Sequence, residues 1–255
     1  MKESTITVGI VSPAPLEYES CCDILKLTNE VKLQGRLISS RVDKSIKINA
    51  IQSGPGKINS ASATQLIIDR FEPDIVLDTG AAGSLSPKAD IFDIVCAENA
   101  YEYDICTLEE FRNLAHDLTT STILSNLPKE TEEIFHHFIE DVMRENSIRI
   151  ELGNIVSGER NVSDSILRNK LHSHFQAIAC NWETSAILKT ARVNEVKTLS
   201  FRVITDNAGE GMQEELRANW AKSSNVLYSV LEKFLLGGWL LHILGCFQEE
   251  TTENP

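Results

Sequence analysis

The sequence predicts a single α/β domain, with a parallel-rich sheet covered by helices on both faces. Three observations carry this expectation. Short apolar, β-branched runs alternate with helix-length segments along the whole chain, the pattern of strand–helix–strand units. The length of 255 residues suits one large domain. An apolar content of 42% supplies a core, and no repeat or low-complexity linker divides the chain.

The elements follow in order. Residues 5–11 read as a first strand, and Ser12-Pro13-Ala14-Pro15 as a turn. Residues 16–27 read as a helix with Glu17 in its first turn. Residues 36–41 and 45–52 alternate in character and read as a hairpin. Ser53-Gly54-Pro55-Gly56-Lys57 is a tight loop, followed by an Ala- and Ile-rich helix over 58–71. Residues 74–77 read as a short buried strand, ended by the turn Asp78-Thr79-Gly80-Ala81-Ala82-Gly83-Ser84. An extended stretch covers 91–103, an exposed helix 129–144 and a strand 149–156, with a loop over 157–162. A strand over 177–180, a helix over 183–193, a strand over 198–206 and a helix over 213–236 complete the alternation. The domain is expected to occupy residues 1–247, with a polar, disordered tail over 248–255.

The formal net charge of −13 repels phosphate backbones, so nucleic acid is not expected as a partner, whereas neutral nucleosides are not excluded. The six cysteines, at 21, 22, 96, 106, 180 and 246, show no C-x-x-C and no repeated spacing, so no metal site and no disulfide framework is indicated. Cys96, Cys106, Cys180 and Cys246 lie in or beside apolar runs, as reduced core cysteines do. Without a signal peptide at its start, the chain is expected to be cytoplasmic. Residues 234–247 are almost wholly apolar but fall short of the roughly 20 residues a spanning helix needs. They read as a packed or subunit-contacting terminal helix, with a membrane-surface contact as the alternative.

Three acids stand at the ends of core elements: Glu17, Glu183 and Asp206. A carboxylate at the C-terminal end of a buried strand, as Asp206 is, sits where α/β sheets place ligands. Each acid also has a plain reading, Glu17 and Glu183 as favourable charges at helix N-termini and Asp206 as a cap on the turn before Gly209. Gly80-Ala81-Ala82-Gly83 would let the backbone approach a ligand closely, or would pack against a neighbouring helix. The 53–57 loop lacks the Walker spacing and reads as structural. His136 and His137 lie on a charged helix and read as solvated, and Trp182 and Phe201 are of a type more often found in cores.

Taken in order, Val8-Gly9-Ile10-Val11, Ser53-Gly54-Pro55-Gly56-Lys57, Asp78-Thr79-Gly80-Ala81-Ala82-Gly83, Val156-Ser157-Gly158, Trp182-Glu183-Thr184-Ser185-Ala186 and Arg202-Val203-Ile204-Thr205-Asp206 resemble the nucleoside phosphorylase/nucleosidase superfamily. The nearest branch is that of the 5'-methylthioadenosine/S-adenosylhomocysteine nucleosidases, and the resemblance covers about residues 6–233. It implies a three-layer αβα sandwich around a central mixed sheet, a purine nucleoside as substrate, no cofactor and a homodimer in which the region of Tyr103 to Phe111 reaches a neighbour's pocket. It implies Asp206 as the acid that protonates purine N7 and Glu17 as the group that holds and activates water. Glu183 would hold the ribose hydroxyls, Val162 would meet the base through its backbone, and Ala81, Gly83, Asn161 and Trp182 would line the substrate.

The chain departs from that branch at four of these landmarks. Asn161 stands where an aromatic usually stacks on the base, and Trp182 where Met usually precedes the ribose-binding acid. Asn181 replaces an acid and Ala81 a serine. These changes point to a divergent specificity, in the manner of a futalosine-hydrolase-like or effector-type enzyme. The loop after the first strand carries no arginine, and Glu17 and Asp78 would repel phosphate, which favours water as nucleophile. A phosphorylase, and a nucleoside-binding module without activity, stay open as alternatives.

Overall fold

Alternate residues of the central strands face opposite ways, and each face has its own core. Val8, Ile10, Ile75 and Leu77 belong to one buried cluster, while Val11 and Val76 belong to another. That alternation requires a sheet covered on both sides. In the computed structural model, which describes residues 5–105 and 118–252, helices supply both covers. The first cover is formed by α1 (Pro15–Leu25), α3 (Lys129–Asn146), α6 (Met212–Leu236) and α7 (Trp239–Thr252). The second is formed by α2 (Lys57–Phe71) and α5 (Thr184–Val193). A further helix, α4 (Ser165–Phe175), packs on a separate cluster with Val156, Val162 and Cys180.

The strands are β1 (Ile6–Ser12), β2 (Val31–Leu33), β3 (Arg36–Asp43), β4 (Ile46–Gln52), β5 (Ile75–Ser84), β6 (Ile94–Glu102), β7 (Thr119–Ser121), β8 (Ile150–Ser157), β9 (Ala177–Asn181) and β10 (Lys197–Asp206). They form one sheet in the order β10-β6-β8-β9-β5-β1-β4-β3-β2, with β7 beside β6. The sheet is mixed: β1 runs parallel to β4 and β5, while β9 runs antiparallel to β5. Because β10 also pairs with β5, the strands from β5 round to β10 close on themselves. Ala82, Val95, Ile155, Ile178 and Ile204, one from each of those strands, pack together as their shared core. The mixed α/β architecture expected from the sequence is the one observed.

One boundary differs from the sequence expectation in a way that matters for the site. The segment read as a Gly-rich turn after a short strand is strand throughout, because β5 runs from Ile75 to Ser84. Its small residues stay paired with β10 through Ala82 and, past a register shift, at Gly83, and with β9 at Gly83 and Ser84. Gly80, at φ +136°, absorbs the distortion inside the strand. Helix α4 is an element with no counterpart in the sequence reading; Asp164 opens it by accepting a bond from the Leu167 amide at 2.7 Å.

At the C-terminus, Gly237 and Gly238 separate α6 from α7, and Leu240, Ile243 and Leu244 are buried against the rest of the molecule. Trp239 stacks 5.8 Å from the Phe138 ring of α3. The described part of this apolar run is therefore packed, and α7 continues through Thr252 into the segment expected to be a tail. Among the described residues no single helix is long and apolar enough to cross a membrane. Of the stretch from Tyr103 to Phe111 expected to reach a neighbour, residues 106–111, Cys106 among them, lie outside the described residues, as does the side chain of Cys246.

Candidate active site

Strands β5 and β10 lie side by side in parallel, with Asp78 opposite Ser200 and Gly80 opposite Arg202. Their side chains form a buried ionic floor. Asp78 accepts from Thr184 Oγ1 and Ser200 Oγ, each at 2.6 Å, from Arg202 Nε at 3.1 Å and from Arg202 Nη2. The remaining nitrogen, Nη1, donates to the Ala81 carbonyl and to Glu183 Oε2, each at 3.3 Å. Arg202 and Asp78 are both fully buried. Burial opposes the charge on Arg202, but Asp78 and Glu183 outweigh it and raise the guanidinium pKa further.

Glu17 approaches the same floor from α1. It follows Pro15 at the start of that helix and reaches back to the Ala14 amide, so its N-terminal capping role is real. Oε2 accepts from Ala14 N at 2.9 Å, while Oε1 accepts from Ala81 N at 2.9 Å and from Trp220 Nε1 at 3.2 Å. Gly80 is what allows this convergence. A Cβ there would lie 2.9 Å from Arg202 Nη1 and 3.2 Å from Glu17 Oε2.

Glu183 immediately precedes α5 and is also buried. The neighbouring Asn181 organises the helix start: its Oδ1 accepts from Glu183 N and Thr184 N at 3.0 Å and from Ser157 Oγ at 2.9 Å. Glu183 Oε1 accepts from Gly56 N at 3.0 Å. The 53–57 loop, read as purely structural, therefore positions a site carboxylate. Burial raises the Glu183 pKa, against the opposing pull of Arg202 and the Gly56 amide.

Asp206 ends β10 and faces Gly83 of β5, where a Cβ would lie 2.8 Å from Asp206 Oδ1. Its Oδ1 accepts from Ala208 N at 3.0 Å and its Oδ2 from Thr205 Oγ1 at 2.9 Å, so it caps a turn as well as facing the cavity. Burial raises its pKa more than those two hydrogen bonds lower it. A carboxyl held in this way keeps its proton at higher pH than an ordinary aspartate.

These groups surround one cavity of about 330 Å³. Every residue singled out from the sequence as a site candidate lines it: Asp206, Glu17, Glu183, Trp182, Val162, Asn161, Ala81 and Gly83. Val162 is buried at its side, whereas Trp182 is 37% exposed at the mouth, with Arg160 and Asn161 nearby. Met212, Leu216 and Trp220 of α6 form an apolar wall close to Glu17. Sequence reasoning missed Arg202, its pairing with Asp78, and Trp220. A signal for the first existed: a lone arginine inside the apolar run 199–204 needs a buried counter-charge, and Asp78 is the acid of another buried strand. Among the described residues, no group of three or more His, Cys, Asp or Glu side chains could hold a metal ion.

The family model of the phosphorylase superfamily matches residues 7–236. A 5'-methylthioadenosine/S-adenosylhomocysteine nucleosidase of Staphylococcus haemolyticus is 25% identical over 234 residues, covering 89% of this chain and 100% of that protein. An aminodeoxyfutalosine nucleosidase of Campylobacter jejuni is 27% identical over 183 residues, covering 70% of this chain and 77% of that one. In fold, the Helicobacter pylori 5'-methylthioadenosine/S-adenosylhomocysteine nucleosidase, crystallised in complex with a substituted pyrrolidin-3-ol, superposes with a TM-score of 0.77 at 22% identity, covering 90% and 97% of the two chains. The futalosine hydrolase of the same organism superposes with a TM-score of 0.76 at 22% identity, covering 89% and 96%.

Proposed function

The chain belongs to the phosphorylase superfamily, a group of nucleoside phosphorylases and nucleosidases, and from that premise we propose that it hydrolyses the N-glycosidic bond of a purine nucleoside to free base and sugar. The observation that carries this reading is the convergence of Glu17, Glu183 and Asp206 on one cavity whose buried cation, Arg202, is already fully paired. A water in the cavity donates to Glu17, which keeps an open acceptor position on Oε2.

Phosphate suits the same place poorly. Arg202 is committed to Asp78 through two nitrogens and to Glu183 through the third. Lys57, the cation of the 53–57 loop, donates its Nζ to Glu102 at 2.9 Å and to Asp104. A phosphate on this floor would face the carboxylates of Glu17 and Glu183.

The steps then follow from the positions of the groups. A purine anion leaves with difficulty, so Asp206, whose pKa burial raises, delivers its proton to N7 as the C1'–N9 bond breaks. The sugar becomes oxocarbenium-like, and Glu183 accepts hydrogen bonds from the ribose hydroxyls while its charge favours the cation. Each Glu183 oxygen keeps acceptor capacity beyond its bonds to Gly56 and Arg202. Water attacks C1' and passes its proton to Glu17.

Methylthioadenosine, S-adenosylhomocysteine and futalosine-type nucleosides are the substrate class suggested by the relatives, with Asn161 and Trp182 setting the preference among them. The test is a panel of purine ribosides with varied 5'-groups, followed by chromatography of the released base. Release from at least one, lost in Asp206→Asn, supports the reading; no release from any member contradicts it. We further propose a homodimer through the groove between α2 and α5, where Ile58, Ile105 and Val193 are 78%, 55% and 75% exposed. Sedimentation of Ile58→Lys should then show the mass of a single chain, and an unchanged mass would exclude this face.

A further inference from the structure

We propose that Trp220 is a positioning residue for Glu17, deciding which carboxylate oxygen meets the nucleophile; the proposal rests on the hydrolase reading above. Trp220 belongs to α6 and Glu17 to α1, and the two helices pack against each other. The indole Nε1–H donates to Glu17 Oε1 at 3.2 Å. Trp220 also forms part of the cavity wall with Met212 and Leu216.

A carboxylate oxygen offers two acceptor positions. Oε1 uses both, one on Ala81 N and one on Trp220 Nε1. Oε2 uses one, on Ala14 N, and is the oxygen beside Gly80. The remaining acceptor position of Glu17 is thus on Oε2, and Glu17 lines the cavity. The backbone donors Ala14 and Ala81 hold the carboxylate in place but leave one position open on each oxygen. Trp220 closes the second position on Oε1 and leaves a single orientation for water. Indole is a donor only, so it cannot compete for the proton that Glu17 receives.

Loss of this bond should misorient the water without emptying the substrate site. The experiment compares the parent with Trp220→Phe, Glu17→Ala and the double variant, in base release from the best riboside of the panel and in thermal unfolding. Trp220→Phe keeps a ring in the wall and removes the N–H. Its kcat should fall about tenfold, the scale of one hydrogen bond to a charged group, with KM within about twofold. In the Glu17→Ala background the same substitution should change kcat by less than about twofold, because the partner is gone. A Trp220→Phe enzyme with parental kcat overturns the proposal, and so does an equal fall in both backgrounds. If the parent cleaves no nucleoside, the hydrolase reading has failed, and the unfolding cycle decides the contact by itself. Non-additive midpoints support the Trp220–Glu17 bond, and additive ones overturn it.

Discussion

Arg202 and Asn161 line the same cavity under opposite conditions. Arg202 is fully buried, and its guanidinium makes four hydrogen bonds, to Asp78, Ala81 and Glu183. Asn161 is partly exposed at the mouth, and among the described residues its side chain makes no hydrogen bond. The floor is rigid because every charge on it has a partner, and buried charges tolerate nothing less. The rim is left free, so changes there alter recognition without disturbing the fold. On the proposed function, the chemistry stays on the floor while specificity is set at the rim.

Substitutions on the floor should be severe, beginning with Asp206→Asn. Removing the proposed proton donor should lower base release by roughly 10²–10⁴-fold. Stability should move the other way. Burial raises the native pKa of Asp206 above that of the unfolded chain, so its contribution to stability is full below the ordinary carboxylate range and is lost as pH rises through the raised value. Asparagine escapes that loss. Melting curves should place Asp206→Asn level with the parent in acid and above it at neutral pH and beyond, whereas a lower midpoint at pH 8 would mean that the ionised carboxylate is a structural asset.

Asp78→Ala should break the floor itself. It strips the buried Arg202 of its two-nitrogen partner, a change expected to cost about 3–5 kcal/mol of folding stability. Denaturant titration checks this, and a cost below about 1 kcal/mol would show that water or Glu183 replaces Asp78 easily.

Glu183→Gln keeps the shape and removes the charge. Base release should fall about ten- to hundredfold with kcat and KM both affected if, as proposed, the residue serves the ribose in the ground state and the cation in the transition state. Unchanged kinetics would reduce it to a helix-end residue.

The smallest effect belongs to the rim. Asn161→Phe offers the base a ring, and stacking of that kind is worth roughly 1–3 kcal/mol in nucleic-acid sites. Its kcat/KM on methylthioadenosine should rise about tenfold, with the melting midpoint unchanged. Efficient turnover of that nucleoside by the parent, unimproved by the new ring, would mean that other groups hold the base.

The contrast between floor and rim also explains what could be read from the sequence. Glu17, Glu183 and Asp206 were legible because each acid sits at the end of an element that apolar periodicity already delimits. The resemblance then gave them roles and gave Asn161 and Trp182 their interest. The Arg202–Asp78 pair was hidden because its partners are 124 residues apart and meet only through the parallel register of β5 and β10. Trp220 lies 203 residues from Glu17 and looks like any aromatic on an amphipathic helix. The Gly-rich segment was misread as a turn because glycine is a sound local signal for one. Pairing with β9 and β10 overrode that signal and kept β5 extended.

The central claim is that water, activated by Glu17, is the nucleophile. It is tested most directly by turnover in ¹⁸O-labelled water containing saturating phosphate, with rapid quenching and mass analysis of the sugar. The account predicts free sugar carrying the label at C1', at a rate independent of phosphate. Sugar 1-phosphate as the main product, or base release that stops when phosphate is withdrawn, would contradict it.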